Sequence, residues 1–319
     1  MDESARSLIS FVSRQLEDEE HNSPELIKTF ISFHLFGLFG MLIVLATVLC
    51  SRSISRHSTW YSFVISWIIS TTSYTLLFWG GNLIGPEPPY ILCLMQGILI
   101  YSAPPLTAAT TLALVIQIRF LLCSVITSTP SKAPRIPGIL LTSLLVVPYL
   151  LYVTILIGTL VVGWRDPLIV RRVGSGMYCN FSNRVPGRVS TVLVALIMLP
   201  AVVLEVLICT ALRRQWALFK SQPDALSMAL RVVAFTFVGI FAIALSLVFF
   251  FTIDRASALN IVISIVPVSA VLIFGTQPDV LRVWMFWKKR PPPTTPEKQL
   301  EVEPTATPDS KFIVIDIHA

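Results

Sequence analysis

Seven apolar stretches dominate this sequence, and they constrain its fold more than any other feature. A helix needs about 20 mostly apolar residues to cross the hydrocarbon layer of a membrane. Continuous apolar runs favour helices, because isolated strands would leave backbone groups unpaired in lipid. We therefore predict an all-α membrane protein, a seven-transmembrane helix bundle. The predicted spans are Thr29 to Cys50, Trp60 to Gly80, Ile91 to Leu114 with a helical continuation to about Val125, Ile139 to Val162, Val189 to Leu212, Val232 to Phe251 and Ala258 to Phe274.

The composition agrees with a membrane protein. Of the 319 residues, 54% are hydrophobic and 13% are charged, which is too little charge to cover the surface of a soluble domain of this length. Residues 1–20 lack the apolar core of a cleavable signal sequence, so the first span is expected to direct insertion. In a membrane protein, a net charge of +6 is better explained by cytoplasmic loops and contacts with lipid head groups than by binding of nucleic acid. No basic run is interleaved with aromatics, as a nucleic-acid surface would require. We expect the lipid bilayer, and no nucleic acid, as a partner.

The distribution of Lys and Arg predicts the orientation of the chain. Cytoplasmic loops tend to keep the positive residues. With the amino terminus outside, fifteen of the 24 Lys and Arg residues fall on the cytoplasmic side. The loop from Gly163 to Arg188 opposes this trend, because it carries five arginines on the outer side. We predict an extracellular amino terminus and a cytoplasmic carboxyl terminus, with the protein in the plasma membrane.

Two cysteines and a glycosylation sequon support the same orientation. Cys93 begins the third span and Cys179 lies in the arginine-rich loop, so both lie on one membrane face in either orientation. On the oxidising side they could form a disulfide, whereas in the cytosol they would usually stay reduced. Asn180, Phe181 and Ser182 form an acceptor sequon, which can be used only on the outer side. We predict a disulfide between Cys93 and Cys179 and glycosylation at Asn180.

The segments outside the spans divide the chain into four parts. Residues 1–28 are predicted to form an extracellular tail, 29–275 the bundle, and 276–290 an amphipathic juxtamembrane helix. Residues 291–319 are rich in Pro, Thr and Glu, which is typical of a disordered tail, here cytoplasmic.

The predicted juxtamembrane helix has a start signal in its sequence. Thr276 is expected to cap the helix, with Pro278 in the first turn and Asp279 at the favourable end of the helix dipole. One face is apolar and cations follow it, so the helix would lie along the inner leaflet. A simple continuation of the seventh span is the alternative. The apolar face comprises Val280, Leu281, Trp284 and Trp287, followed by Lys288, Lys289 and Arg290.

The chain is predicted to have seven helices, an outer amino terminus, and a cysteine at the start of the third span with a partner in the second outer loop. In this combination it resembles the G-protein-coupled receptor superfamily. The run from Phe274 to Trp284, FGTQPDVLRVW, looks most like the seven-span receptor-like proteins of fungi. The resemblance covers residues 29–288 and implies a receptor that passes a signal from an extracellular small-molecule or peptide ligand to a heterotrimeric G protein. Arg119 is followed by an aromatic residue, as in the triplet that ends the third span of rhodopsin-like receptors, but the acid of that triplet is missing. The Trp-x-Pro of the sixth span and the Asn-Pro-x-x-Tyr of the seventh are also missing.

Polar residues in the spans give candidate contact sites at both ends of the bundle. Those in the third and seventh spans are candidate ligand contacts, although such side chains also bond to neighbouring helices. Basic residues at the inner ends of the third, fifth and sixth spans are candidate G-protein contacts, although an ordinary positive-inside loop has the same composition. The ligand candidates are Tyr101, Ser102, Thr107, Asn260 and Ser264, and the G-protein candidates are Arg119, Arg213, Arg214, Lys220 and Arg231.

Ionisable residues inside the spans are few, which argues against an enzyme. They are costly in lipid and mark function where they occur. Glu205 lies well inside the fifth span and could face a cavity or bond to a structural partner, whereas His34 is expected to be a packing residue. The seventh span has no lysine for retinal, and the four histidines are scattered over both sides and the tails. With no phosphate-binding glycine loop and no nucleophile elbow, we expect no catalytic activity, metal or cofactor.

A transporter or channel for a small solute is the alternative to a receptor. Transporters usually show a repeat between their halves and broken helices near the midplane of the membrane. The sequence has no evident repeat, but Pro104 and Pro105 interrupt the third span. A nucleotide-exchange assay on membranes, alongside solute uptake into vesicles, separates the two functions.

Overall fold

The computed structural model describes residues 24–51, 54, 56–126, 136–172, 176–214, 223–251 and 256–285. The predicted amino-terminal tail up to residue 23, Lys220, Trp287 to Arg290 and the predicted tail 291–319 lie outside the described residues. The helices up to Trp284 belong to one compact unit.

Each of the seven predicted apolar stretches is helical, and the observed helices extend several of them. The first helix begins at Pro24, five residues before the predicted start, and the third runs unbroken through its two prolines. The described α-helices are α1 Pro24–Cys50, α2 Ser58–Trp79, α3 Tyr90–Ile126, α4 Gly138–Arg165, α5 Arg184–Arg214, α6 Pro223–Phe251, α7 Ala256–Gly275 and α8 Pro278–Trp284. Between α4 and α5 lie a 3-10 helix, Pro167–Ile169, and two short strands, β1 Val170–Arg171 and β2 Asn180–Phe181.

Five of these helices, α1 to α5, are long and apolar enough to cross a membrane. In the part of the chain that the structure describes, α6 contributes a shorter apolar helix over Ala229–Phe241. The residues Asn260–Gly275 of α7 are long and apolar enough for a membrane span only when they are taken together with α8. The two helices are bent by 78° at their junction. The chain is therefore an all-α protein with several helices suited to a membrane.

The third helix lies at the centre of the bundle. It packs along α2, α4 and α5 and also touches α6. The first helix packs against α2 and α7, and α6 packs against α7, whereas α5 and α6 make few contacts with each other. The helix α6 is thus held mainly by α7 and only weakly by α5.

A buried aromatic cluster joins α2, α6 and α7. The ring centroid of Phe63 lies 5.0 Å from that of Phe274 and 5.4 Å from that of Phe235. Phe63 and Phe274 are completely buried. Aromatic pairs at these separations contribute about 1 kcal/mol beyond the apolar area that they bury.

The outward faces of α4 and α5 are apolar. Leu150 of α4 exposes 60% of its surface, and Leu196 and Leu199 of α5 expose 63% and 66%. Continuous exposed apolar surface of this kind is rare on soluble monomers and is the ordinary lipid-facing surface of a membrane helix. These faces therefore support an integral membrane protein.

Prolines interrupt the backbone hydrogen bonds of four helices. Pro104 and Pro105 lie inside α3, Pro148 inside α4, Pro200 inside α5 and Pro267 inside α7. Each proline lacks the N–H that would bond to the carbonyl four residues earlier. In α3 the two missing donors are those that would bond to the carbonyls of residues 100 and 101.

Candidate functional site

A disulfide fixes the loop between α4 and α5 to the start of α3. Cys93 and Cys179 are bonded, with their Cα atoms 5.1 Å apart, and both are buried. The predicted pairing is therefore confirmed. In the same loop, β1 pairs antiparallel with β2, so that Val170 lies opposite Phe181. We call residues 176–182 the outer cap, a name that follows the orientation predicted from the sequence.

A buried glutamine holds the outer cap against α2 and α3. Gln96 Oε1 accepts a hydrogen bond of 2.9 Å from the backbone N–H of Cys179. Its Nε2 donates to the carbonyl oxygens of Ser73 and Tyr74 on α2, each at 3.3 Å. Gln96 is completely buried, so these three bonds satisfy groups that would otherwise be costly to bury. This residue was not among the predicted site residues, although it lies one turn after Cys93.

Three side chains of the outer cap point into the bundle. Met177 is completely buried against Phe30 and Ile31 of α1, and Phe181 is buried against α3 and α4. A Cβ atom on Gly163 of α4 would lie 2.4 Å from Leu94 Cδ1 and 2.8 Å from the Phe181 ring, so a larger residue there would displace these side chains. The cap fills the end of the bundle instead of lying over it.

The third of these side chains, Tyr178, joins an aromatic cluster with three residues of α1 and α2. Its ring centroid lies 6.0 Å from that of Phe30 and 5.8 Å from that of Tyr74. Tyr74 stacks on His34, with the ring centroids 4.5 Å apart. Neither nitrogen of the buried His34 ring has a hydrogen-bond partner among the described residues. The predicted packing role of His34 accounts for its ring contacts, but not for these two nitrogens.

The predicted ligand contacts divide into two groups. Tyr101 and Asn260 reach the outer cap: the hydroxyl of Tyr101 accepts from the N–H of Phe181 at 3.3 Å, and Asn260 Oδ1 accepts from the hydroxyl of Tyr178 at 3.1 Å. The other three candidates donate to carbonyls of their own helices and do not contact the cap through these bonds. These are Ser102 to Ile98 at 2.8 Å, Thr107 to Pro104 at 2.9 Å and Ser264 to Ile261 at 2.7 Å.

Asn180 lies in β2 and is half-buried. Its Oδ1 atom is buried and has no hydrogen-bond partner among the described residues. Glycosylation at this position stays a prediction.

Stability above pH 10 is expected to depend on Tyr178. Burial raises the pKa of Tyr178 to about 12, against about 10 in an unfolded chain. The unfolded chain therefore ionises first. The contribution of Tyr178 is fully present below pH 10 and is lost as the pH rises from about 10 to about 12, by about 2 kcal/mol. We expect the Tyr178→Phe variant to lose less stability than the parent over this range, measured as the free energy of unfolding in detergent micelles.

Phe181→Leu serves as the control for this measurement, since it alters the same cap without removing a phenol. Its pH dependence should match that of the parent. Equal losses in the parent and the Tyr178→Phe variant would contradict the assignment.

At the other end of the bundle, Arg56 joins the loop before α2 to α8. Its Nη2 atom donates to Gln277 Oε1 at 2.6 Å and forms an ion pair with Asp279. The guanidinium also lies over the ring of Trp60, 5.8 Å from its centroid. Arg56 is half-buried, so these contacts are partly shielded from solvent.

Arg231 of α6 bonds to the carboxyl-terminal end of α7. Its Nη1 atom donates to the carbonyl of Ile273, and Nη2 donates to the carbonyl of Thr276 at 3.0 Å. A cation at this position satisfies carbonyls that have no partner within the helix and interacts favourably with the helix dipole. We call Arg231 and the carbonyls of Ile273 and Thr276 the inner latch, again after the predicted orientation.

The predicted cap of α8 is wrong. The hydroxyl of Thr276 donates back to Leu272 at 2.6 Å, while Gln277 directly precedes the helix, which begins at Pro278. The reason is that the 78° bend begins at Thr276, where a hydroxyl one turn after Leu272 can bond to a carbonyl of α7. Asp279 lies in the first turn as predicted.

The remaining basic candidates differ in their surroundings. Arg119 is half-buried near the end of α3, and Arg213 and Arg214 are exposed in the last turn of α5. Lys220 lies outside the described residues. Their contact with a partner stays a prediction.

No cluster of three or more His, Cys, Asp or Glu residues suited to a metal ion occurs in the described parts of the chain.

These features indicate a helical membrane protein. A disulfide-held cap lies at one end of its bundle, and Arg56 and Arg231 bond to the junction of α7 and α8 at the other. No known protein-family model matches the chain, and neither does any curated protein.

Proposed function

We propose that this chain is a seven-transmembrane receptor that passes an extracellular ligand signal to a cytosolic heterotrimeric G protein, without catalysing a reaction itself. In this proposal α1 to α7 all cross the plasma membrane, with the outer cap outside. The helix α8 lies along the inner leaflet, and Asn180 carries a glycan. The main support is that α7 is bonded at both of its ends: Asn260 to Tyr178 of the cap, and Ile273 and Thr276 to Arg231 of α6.

In this mechanism the ligand binds at the end of the bundle that the outer cap fills. It bonds to α3 through Cys93, Gln96 and Tyr101 and to α7 through Asn260. A ligand that displaced part of the cap would alter contacts on both helices at once. It can favour the active arrangement only by its differential affinity for the two arrangements.

In this mechanism the cytosolic partner binds at the end of the bundle that contains the inner latch. While Arg231 is bonded to the end of α7, the amino-terminal part of α6 is held beside that helix. Release of Arg231 would let α6 move away and open a surface for a cytosolic protein. Arg119, Arg213 and Arg214 provide positive charge near that surface for an acidic or lipidated partner.

Replacing Arg231 by alanine is expected to raise basal nucleotide exchange in membranes that contain the full chain and a G protein. Hydrogen bonds to charged groups contribute about 1.5 kcal/mol or more, so their loss shifts the equilibrium by about tenfold or more. Arg214→Ala is the matched control, because Arg214 is exposed and makes no latch bond. We expect it to lower exchange or leave it unchanged.

A fall in exchange for Arg231→Ala would assign this residue to partner contact and contradict the latch. No exchange above that of empty membranes, for the parent and both variants, would contradict the receptor. Uptake of solute into vesicles by the same preparation would support the transporter instead.

Protease treatment of sealed vesicles tests the topology. Cleavage within residues 286–319 should require access to the cytoplasmic side, whereas a disulfide-linked peptide containing Cys93 and Cys179 should come from the outer side. Both segments on one side would exclude an odd number of crossings between the cap and the tail, and with it the receptor.

A further inference from the structure

A groove lies between the carboxyl-terminal half of α5 and the amino-terminal half of α6, where these two helices make few contacts. Its volume is about 330 Å³, which is within the range of small-molecule sites. The lining is mostly apolar, with Val206 and Phe237 at its lipid-facing edge, exposed by 57% and 70%. A molecule dissolved in the bilayer can therefore enter the groove from the side.

A buried carboxyl group of this groove has an oxygen without a hydrogen-bond partner among the described residues. Glu205 lines the groove and is 6% exposed. The hydroxyl of Thr236 of α6, which is 1% exposed and is not part of the lining, lies near this carboxyl group but is not in hydrogen-bond geometry with it. Neither Glu205 Oε1 nor Thr236 Oγ1 has a partner in the described parts of the chain. An unpaired polar atom in lipid costs free energy, and ionisable residues at this depth usually have a functional partner. A hydrogen-bond donor from a ligand would satisfy Glu205.

A cation lies further along the same face of α5. Arg213 follows Glu205 by eight residues and lines the same groove, so the two residues are separated by roughly 12 Å along the helix axis. Arg213 is exposed at the end of α5 and forms no ion pair with a described residue. The groove wall between these two groups includes Val206, Cys209 and Val233.

We propose that this groove binds a hydroxylated fatty acid from the adjacent leaflet. The carboxylate would bond to Arg213, the acyl chain would lie along the apolar wall, and a mid-chain hydroxyl would donate to Glu205. A guanidinium matches a carboxylate in charge and geometry. A plain fatty acid would leave Glu205 Oε1 unpaired, and the small volume suits a single chain. The site does not depend on the proposed receptor function, because it uses no step of signalling.

The test is equilibrium binding of radiolabelled mid-chain hydroxystearic acid to the full chain in lipid nanodiscs. Stearic acid lacks the hydroxyl, and the methyl ester of hydroxystearic acid lacks the anion. We expect hydroxystearic acid to bind about tenfold more tightly than either competitor, because each lacks one hydrogen bond to a charged or buried group.

Paired variants assign the two contacts. Glu205→Leu should abolish the preference for hydroxystearic over stearic acid, whereas Glu205→Gln, which keeps an acceptor oxygen, should retain it. Arg213→Gln should weaken binding of both acids about tenfold and leave the ester unaffected. Arg214→Gln is the control, since Arg214 is the neighbouring exposed arginine and does not line the groove.

Occlusion of the groove gives a test that leaves the polar groups intact. Val206→Trp alters a lipid-facing residue, so the fold should be retained, and binding should be lost. Equal binding of stearic and hydroxystearic acids to the parent, or equal effects of Arg213→Gln and Arg214→Gln, would overturn the proposal. Absence of saturable binding to the parent would do the same.

Discussion

Replacing Cys93 and Cys179 together by alanine is expected to lower the free energy of unfolding by about 4 kcal/mol. The disulfide joins residues 86 apart in the sequence, and a crosslink over such a distance stabilises mainly by restricting the unfolded chain. Without it, the hydrogen bonds of Gln96 and Tyr101 and the packing of Phe181 would hold the cap to α3. The measurement is equilibrium unfolding in mixed micelles, followed by tryptophan fluorescence.

Cys50→Ala is the matched control, because Cys50 is a free and exposed cysteine at the end of α1. It should leave the free energy of unfolding unchanged. A double variant as stable as the parent would show that the cap is held without the disulfide. A non-reducing digest of the parent should contain the peptide that links the two residues.

Replacing Gly37 by leucine is expected to destabilise the bundle by about 3 kcal/mol. A Cβ atom on Gly37 would lie 2.7 Å from the Cβ of Pro267 and 3.2 Å from Thr71 Cγ2. The proline ring cannot rotate away, so α1 and α7 would have to separate. Overpacking a close helix contact typically costs about 1 to 3 kcal/mol, and leucine adds three further carbons. The same unfolding experiment measures the loss.

Gly158→Leu on α4 separates this steric effect from the intrinsic preference of leucine for helices. Gly158 is exposed, and nothing lies within 4 Å of a Cβ atom built there. We expect this variant to be as stable as the parent or slightly more stable. Equal destabilisation by both substitutions would contradict close packing of α1 on α7.

The positions of the helices could be predicted from the sequence because the apolar runs are long and are interrupted by polar loops. The disulfide could be predicted because Cys93 and Cys179 lie on one membrane face in either orientation. Both inferences depend on distance along the chain and on the side of the membrane, which the sequence contains directly. The five-residue extension of α1 to Pro24 shows that polar residues beyond the apolar run can continue a helix.

Contacts between helices were harder to predict, because they depend on which way each helix is rotated. Ser102, Thr107 and Ser264 each bond to a carbonyl of their own helix, and a hydroxyl can make that bond wherever it faces. Tyr178 and Asn260 meet although they are 82 residues apart. Tyr178 adjoins the predicted disulfide, which was the one available signal for its burial.

The contacts of Arg231, at the other end of the bundle, were equally hard to predict from the sequence. Its sequence context is an ordinary positive-inside segment, which predicts exposure to the cytosol. In the structure it bonds to the end of α7 instead. The carbonyls that accept these bonds belong to the junction with α8. The sequence predicted a new helix at this junction, but not that Arg231 of α6 would lie against it.

The adjacent prolines of α3 have a mechanical consequence. Two missing backbone donors at Pro104 and Pro105 make the middle of this helix its most compliant point. Cys93 and Gln96 anchor the segment before this joint to the outer cap, while Arg119 belongs to the segment after it. The segment that carries Arg119 is therefore joined to the anchored segment by the part of α3 that has the fewest backbone hydrogen bonds to resist bending.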